Sequence, residues 1–247
     1  DNVTKVTKYM ATTNTLPTNY ATNYYEGMTL GELWGYTCNG LFQSNEEAQT
    51  YADYSKFAQN KIVWQKGDPK YEDLNGDGRI DDKDRVKLGS SIPWLNYGLT
   101  IGAEWKGIDL SIFFQGVGGN KIYNQMRHRL EGNGSTSVLS PVMTDAWTAE
   151  NPDGSIPNPK NTINYYVSDR FLESGSYFRL KNLQIGYTLP QKWMSAIGFQ
   201  KCRFYFQGGN LFTVTKYKGY DPETLGGVDY GNYPQARSFI FGVNITY

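Results

Sequence analysis

What this sequence lacks narrows its chemistry first. It has only two cysteines in 247 residues, Cys38 and Cys202, far apart. That is neither a disulfide framework nor a zinc set; two free thiols are expected, with a single bridge as the alternative. It has no charge surplus, because 24 Lys+Arg balance 24 Asp+Glu. No long-range field draws in nucleic acid, which is excluded as an expected partner. Histidine occurs once, at His128 in "NQMRHRLEGNG". A Ser/His/Asp mechanism would have to use it, and no G-x-S-x-G motif stands nearby. A solvated loop histidine and no enzyme activity are the expectation. "GVGGN" at 116–120 lacks the strand–GxGxxG–helix setting of a dinucleotide site. No run of about 18 apolar residues exists, which excludes a transmembrane helix but not a transmembrane barrel, whose strands need only about 9–11 alternating residues. The polar first residues open no evident domain and contain no signal peptide. A processed chain or a piece of a longer one is expected.

What the sequence does have is aromatic residues, 15% of the chain, and 27 glycines. Aromatics favour strands and glycines favour turns, so the expected class is all-β. In "NYGLTIGAEW" the apolar set Tyr97, Leu99, Ile101, Ala103 and Trp105 alternates with Asn96, Gly98, Thr100, Gly102 and Glu104. After Lys106-Gly107, a two-residue hairpin turn, Ile108, Leu110, Ile112 and Phe114 alternate with Asp109, Ser111, Phe113 and Gln115. Leu183, Ile185, Tyr187 and Leu189 repeat the dyad before Pro190, and Cys202, Phe204 and Phe206 repeat it opposite Arg203, Tyr205 and Gln207. At the end Phe239, Phe241, Val243, Ile245 and Tyr247 alternate with Ser238, Ile240, Gly242, Asn244 and Thr246, a mostly small or polar set. A weaker segment spans about Thr29 to Tyr36. Successive strand side chains point to opposite faces, so each segment has one apolar face. Short connections alternate with long ones, at about 39–93, 118–175 and 213–236. Long loops on one side are normal for an outer-membrane barrel and unusual in a compact soluble domain. The expected fold is an antiparallel transmembrane β-barrel segment, about six strands of a larger barrel, with long extracellular loops and one short helix. Tyr97, Leu99, Ile101, Trp105, Leu110, Ile112, Phe114, Leu183, Ile185, Tyr187, Phe239, Phe241, Val243, Ile245 and Tyr247 are the expected membrane-facing residues.

"DLNGDGRIDDKD", residues 73–84, has the frame of an EF-hand calcium loop. Asp73, Asn75, Asp77, the backbone carbonyl of Arg79, Asp81 and Asp84 occupy the ligand positions, and Gly78 the sharp turn. Asp rather than Glu at the last position, and Gly67 and Pro69 upstream where a helix would stand, suit a rigid dockerin-like staple better than a sensor. The metal-free alternative is a polar Asp/Asn/Gly turn. Upstream, Ser44 with Glu47 forms a capping box for one short helix at about 45–58. Loop aromatics Trp147, Tyr165 and Tyr166 suit packing better than sugar stacking.

"GDPKYEDLNGDGRIDDKDRVKLGSSIPWLNYGLTIGAEWKGIDLSIFFQGVGGNKIYN", "SYFRLKNLQIGYTLP", "GGNLFTVTKYKGYDPE" and the final aromatic strand resemble, in the same order, the C-terminal region of SusC/RagA-type TonB-dependent outer-membrane transporters. "EGMTLGELWGYTCNGLFQS" fits the next upstream segment, so the resemblance covers nearly the whole chain, 1–247. It implies the last part of a barrel of roughly 22 strands, with a plug and TonB box belonging to an N-terminal part outside these residues. It implies import of glycans or peptides across the outer membrane of Bacteroidota-type bacteria. A SusD-like surface lipoprotein would serve as lid, and the TonB complex would supply energy through the missing part. The remaining partners would be outer-membrane lipid and the rest of the barrel and plug. Residues 44–93 would form an extracellular loop, and calcium in 73–84 would be structural. Two other readings stay open: a soluble secreted β-domain with a dockerin-like loop for adhesion or scaffolding, and a glycan-cleaving surface enzyme.

Overall fold

The computed structural model describes residues 4–8, 25–52, 64–131, 144–158 and 166–247. In chain order the elements are β1 (Glu32–Gly35), β2 (Cys38–Leu41), α1 (Asn45–Thr50), β3 (Pro69–Tyr71), β4 (Val86–Ser90), β5 (Leu95–Trp105), β6 (Ile108–Gly118), β7 (Lys121–Asn124), α2 (Gln125–Glu131), β8 (Leu172–Ser174), β9 (Tyr177–Thr188), α3 (Gln191–Ala196), β10 (Lys201–Thr215), β11 (Val228–Asp229) and β12 (Ser238–Thr246). Contacts divide the chain into two compact units: Asp1–Ile92 with Asn120–Ser174 and Glu223–Asn232, and Pro93–Gly119 with Gly175–Pro222 and Tyr233–Tyr247.

The second unit is built on a five-stranded sheet in the order β12-β10-β9-β6-β5, antiparallel at every pair. The alternating segments are its strands. Lys106 and Gly107 both have positive φ, 47° and 86°, as a two-residue type I′ turn requires, and they close β5 onto β6 with Trp105 opposite Ile108. α3 links β9 to β10. The other connections leave and rejoin the sheet through residues of the first unit.

Two irregularities shift the pattern. β9 carries one extra residue, Lys181, against β6, because Phe113 pairs with Asn182 and Phe114 with Leu180. β10 inserts Asn210 and Leu211 at the same level, Asn210 with φ 52°. A one-residue bulge moves every following side chain to the other face. Beyond it, Leu180 and Phe178 therefore join the apolar face, although they are out of phase with Leu183 and Ile185.

The segment Thr29–Tyr36 is not a sixth strand of this sheet. Its core is β1, which pairs with β4, with a register shift between Leu33 and Trp34. Glu32 and Leu33 are both buried, so the segment has no polar side and no apolar side to present. Five strands make up the sheet among the described residues.

The first unit shows that the long connections carry structure of their own. β1–β4 and β2–β3 form two-stranded sheets, and β11, β7 and β8 a third sheet. Tyr36, Phe42, Ala48, Trp64, Tyr71 and Ile80 form one core, and Tyr123, Phe171 and Val228 another. α1 starts where the capping signal places it: the Ser44 hydroxyl accepts from the Glu47 amide at 3.1 Å. The Glu47 carboxylate turns back to accept from the Gln43 amide at 3.0 Å. α1 ends at Thr50, and the rest of the expected helix falls largely on residues 53–58, outside the described residues.

Candidate functional site

The register sorts the sheet into two chemically different faces, since directly opposed residues share a face. Leu99 pairs with Phe114, Ile101 with Ile112, and Ile112 with Leu183. Leu110 pairs with Ile185, Ile185 with Phe206, and Phe206 with Phe241. Trp105, Ile108, Tyr187, Phe204 and Val243 make another row. Phe239 and Ile245 oppose Gly208 and Cys202. The residues singled out in the sequence thus lie on one face, except Tyr247, which follows the end of β12. Phe178, Leu180, Phe212 and Val214 extend that face and escaped the sequence reading. Ring contacts weld its upper rows: Phe114 stacks on Phe178 with centroids 5.0 Å apart, and Phe206 meets Phe241 at 5.1 Å.

The opposite face carries Thr100, Glu104, Asp109, Ser111, Asn182, Gln184, Arg203, Gln207 and Asn244, with Phe113, Tyr205 and Ile240 among them. Here Arg203 donates from Nε to Asp109 at 2.8 Å, reaching across the intervening strand over Gly186. A Cβ at Gly186 would lie 2.4 Å from the guanidinium and 2.5 Å from the carboxylate. Glycine leaves the gap through which two strands not directly paired exchange charge. Near the upper end Arg179 donates to buried Asp221 at 2.8 Å. No helix among the described residues is long and apolar enough to cross a membrane, which says nothing of crossing by β-strands.

The acidic loop 73–84 lies in the first unit and is held by its own side chains. Asp73 accepts from the amides of Gly76 at 2.9 Å and Gly78 at 2.8 Å. Asn75 Oδ1 accepts from the Asp77 amide, and Asp77 from the Arg79 amide. Gly78 has φ 77°, the left-handed turn its frame position demands. Asp84 is 0% exposed; it accepts from Leu74 at 3.0 Å and from Asp81 at 2.7 Å, fastening the two ends together. Ile80 enters the core. Among the described residues no three Asp, Glu, His or Cys side chains converge to hold a metal by themselves. An EF-hand frame also draws on Asn, a carbonyl and water, and each carboxylate oxygen keeps a second lone pair. The loop's turn and donor types fit a hard cation on those terms.

Other candidates resolve into packing. His128 is buried on α2, its ring 4.6 Å from that of Phe171 and its Nδ1 3.0 Å from the Tyr123 hydroxyl. The expectation of a solvated loop histidine is corrected: the glycine-rich stretch begins only after α2, which turns His128 inward. Trp147 lies over Gly67, and Tyr166 packs on Tyr36 and Tyr71; Tyr165 lies outside the described residues. Both cysteines are free thiols, and burial pushes the Cys38 thiol up to about 11, which keeps it protonated and unreactive. Two charged clusters were not foreseen. Glu32 accepts from Tyr25, Trp34 and Lys87 and from the Thr29 amide. Glu131 accepts from Arg127 and Arg170, and Arg127 also pairs with Glu173. Single charges inside otherwise ordinary segments carry no sequence signal of their partners.

No family model matches the sequence. The chain is 32% identical over 234 residues to TonB-dependent receptor P3 of Formosa agariphila, covering 90% of this chain and 22% of that protein. It is 27% identical over 204 residues to TonB-dependent receptor SusC of Bacteroides thetaiotaomicron, covering 80% and 20%. Its fold matches the structure of the RagAB peptide transporter with TM-score 0.76 at 24% identity, over 98% of this chain and 26% of that one. The chain therefore spans about a fifth to a quarter of the length of these relatives. The names these relatives carry are those of receptors and of a transporter. In sequence and in fold, the chain matches a segment of the SusC/RagA-type TonB-dependent receptors, proteins of the bacterial outer membrane.

Proposed function

We propose that this chain supplies an arc of barrel wall, with its outer loops, to an importer of glycans or peptides in the outer membrane. The importer works with a SusD-like surface lipoprotein and draws energy through TonB. The observation that carries the reading is the sorting of the five strands into one unbroken apolar face and one mostly polar face, in a chain related to TonB-dependent receptors along 90% of its length. The apolar face meets lipid and the polar face lines a hydrated interior. Short connections then face the periplasm and long ones the outside, which places residues 44–93 outside the cell. The substrate named for RagAB is peptide, and glycan is the other class in the reading. Growth of the source bacterium with and without the full-length gene tests it. Growth on oligopeptides or oligosaccharides should fail in the deletion strain, persist on their monomers, and depend on the proton gradient. Unchanged growth on both classes overturns it, and failure of a surface lipoprotein to co-purify with the full-length receptor overturns the partner.

The same reading assigns structural calcium to Asp73, Asn75, Asp77, the Arg79 carbonyl, Asp81 and Asp84. Five carboxylates in twelve residues repel one another, and a divalent cation relieves this. In the full-length receptor a chelator should lower the thermal transition of the outer loops, and Asp73→Ala with Asp77→Ala should abolish that response. A chelator without effect on the unaltered protein removes calcium from the account.

A further inference from the structure

The connection between β9 and β10 is built with more care than a turn requires. Pro190 opens α3 and Gly198, with φ 79°, closes it. The Phe199 amide donates to Met194 O at 3.0 Å and the Gly198 amide to Ser195 O at 3.4 Å. This is a Schellman ending, in which the side chains at the positions of Phe199 and Met194 commonly pack together. At about 100° per residue, Trp193 and Ile197 fall together on one side of Met194, with Gln191, Ser195 and Lys192 on the other. Met194 is buried, yet Trp193 is 59% and Ile197 62% exposed.

The strand ends show which face α3 covers. Cys202 belongs to the last row of the apolar face, opposite Ile245, and is buried, while its neighbour Lys201 on the polar face is exposed. α3, which packs against β10, covers the apolar side. The Leu189 amide donates to Cys202 O and the Gln200 amide to Thr246 O, both at 2.9 Å, fixing the linker to these strand ends. At the same ends stand Trp105, with Lys106 Nζ 4.7 Å over its ring, Tyr187 and Tyr247. Trp and Tyr collect at the membrane–water boundary, where an apolar ring and a polar edge are both satisfied. Lysines there extend to lipid phosphates.

We propose that the β9–β10 connection is a membrane-interface anchor, with Trp193, Ile197 and Phe199 seated in the headgroup–acyl boundary of phospholipid on the short-connection side. This rests on lipid contact by the apolar sheet face, with which α3 is continuous. α3 acts as a short amphipathic interfacial helix, tied at both ends to strands so that it cannot roll into water.

The test uses the full-length receptor in vesicles of phosphatidylethanolamine and phosphatidylglycerol, with and without bromine on the acyl chains near the headgroup. The difference in tryptophan emission between the unaltered protein and Trp193→Phe isolates one reporter. That difference should lose most of its intensity in brominated vesicles and resist aqueous iodide. Ile197→Trp adds a reporter without removing one, and its added emission should behave alike. Heat-modifiable migration on gels confirms that each variant is folded. Iodide-accessible, bromine-insensitive emission from both variants overturns the anchor. If Ile112→Arg on the sheet face also proves harmless, the failure lies in the lipid reading of the whole face; if it does not, the failure is confined to α3.

Discussion

Placing a charge at Ile112 sets the two faces against each other within a single strand. Ile112 sits in β6 between Ile101 and Leu183, in a middle row of the apolar face. An arginine at the hydrocarbon midplane of such a barrel costs about 2–4 kcal/mol. At 1.4 kcal/mol per decade that is roughly a 30- to 700-fold loss in the folding equilibrium. Ser111, the adjacent residue, points the other way, between Gly102 and Gln184, and Ser111→Arg should stay within about 1 kcal/mol. Ile108, four residues along, lies about 13 Å down the strand at 3.3 Å per residue, beside the hairpin turn. Ile108→Arg should cost about 0–1 kcal/mol because the guanidinium reaches the interface. The assay is denaturant titration of the full-length receptor folded in lipid vesicles, with both directions of the transition compared. The expected order is Ile112→Arg far worst, the other two mild. Equal costs for Ser111→Arg and Ile112→Arg, or the reverse order, would refute the assignment of faces.

Two further outcomes concern the first unit. Removing Glu131 by Glu131→Ala leaves Arg127 and Arg170 without their shared carboxylate; losing one partner of a buried pair costs about 3–5 kcal/mol. Hydrogen exchange of the full-length receptor should show α2 and β8 losing protection while β5 and β6 keep theirs. For Glu32, burial alone would raise the carboxyl pKa, but hydrogen bonds from Lys87, Tyr25, Trp34 and the Thr29 amide hold it below the usual value. Its stabilisation is therefore present above the ordinary glutamate range and lost as pH falls through the lowered folded value. Protection of β1 and β4 should decline in acid below about pH 4, and Glu32→Gln should flatten that decline.

The apolar face was legible because period-two alternation survives without knowledge of pairing. Tyr97 to Trp105 and Phe239 to Ile245 read directly as strand faces. Legibility failed where the backbone changes phase. Phe178 and Leu180 look misplaced against Leu183 and Ile185 until the bulge at Lys181 is known, and bulges are settled by the neighbouring strand rather than by local composition. "GGN" at 208–210 has turn chemistry, yet Leu211 packs over Gly208 and β10 runs on to Thr215, because pairing with β9, resumed from Phe212 to Thr215, outweighs local preference. The loops were less legible still. Their cores join residues as distant as Tyr36 and Tyr166, and Thr29–Tyr36, a weak strand candidate in the sequence, pairs with β4 where Glu32 sits inside a cage of donors. The acidic loop is the converse case. Its frame is explicit in the sequence, and its backbone takes the turn that frame demands, because Asx-type bonds from Asp73, Asn75 and Asp77 to nearby amides are local and need no partner strand. Local bonds of that kind form the turn with or without a cation, so a calcium staple shows itself as a chelator-sensitive thermal transition and a polar turn of the same shape as a chelator-insensitive one.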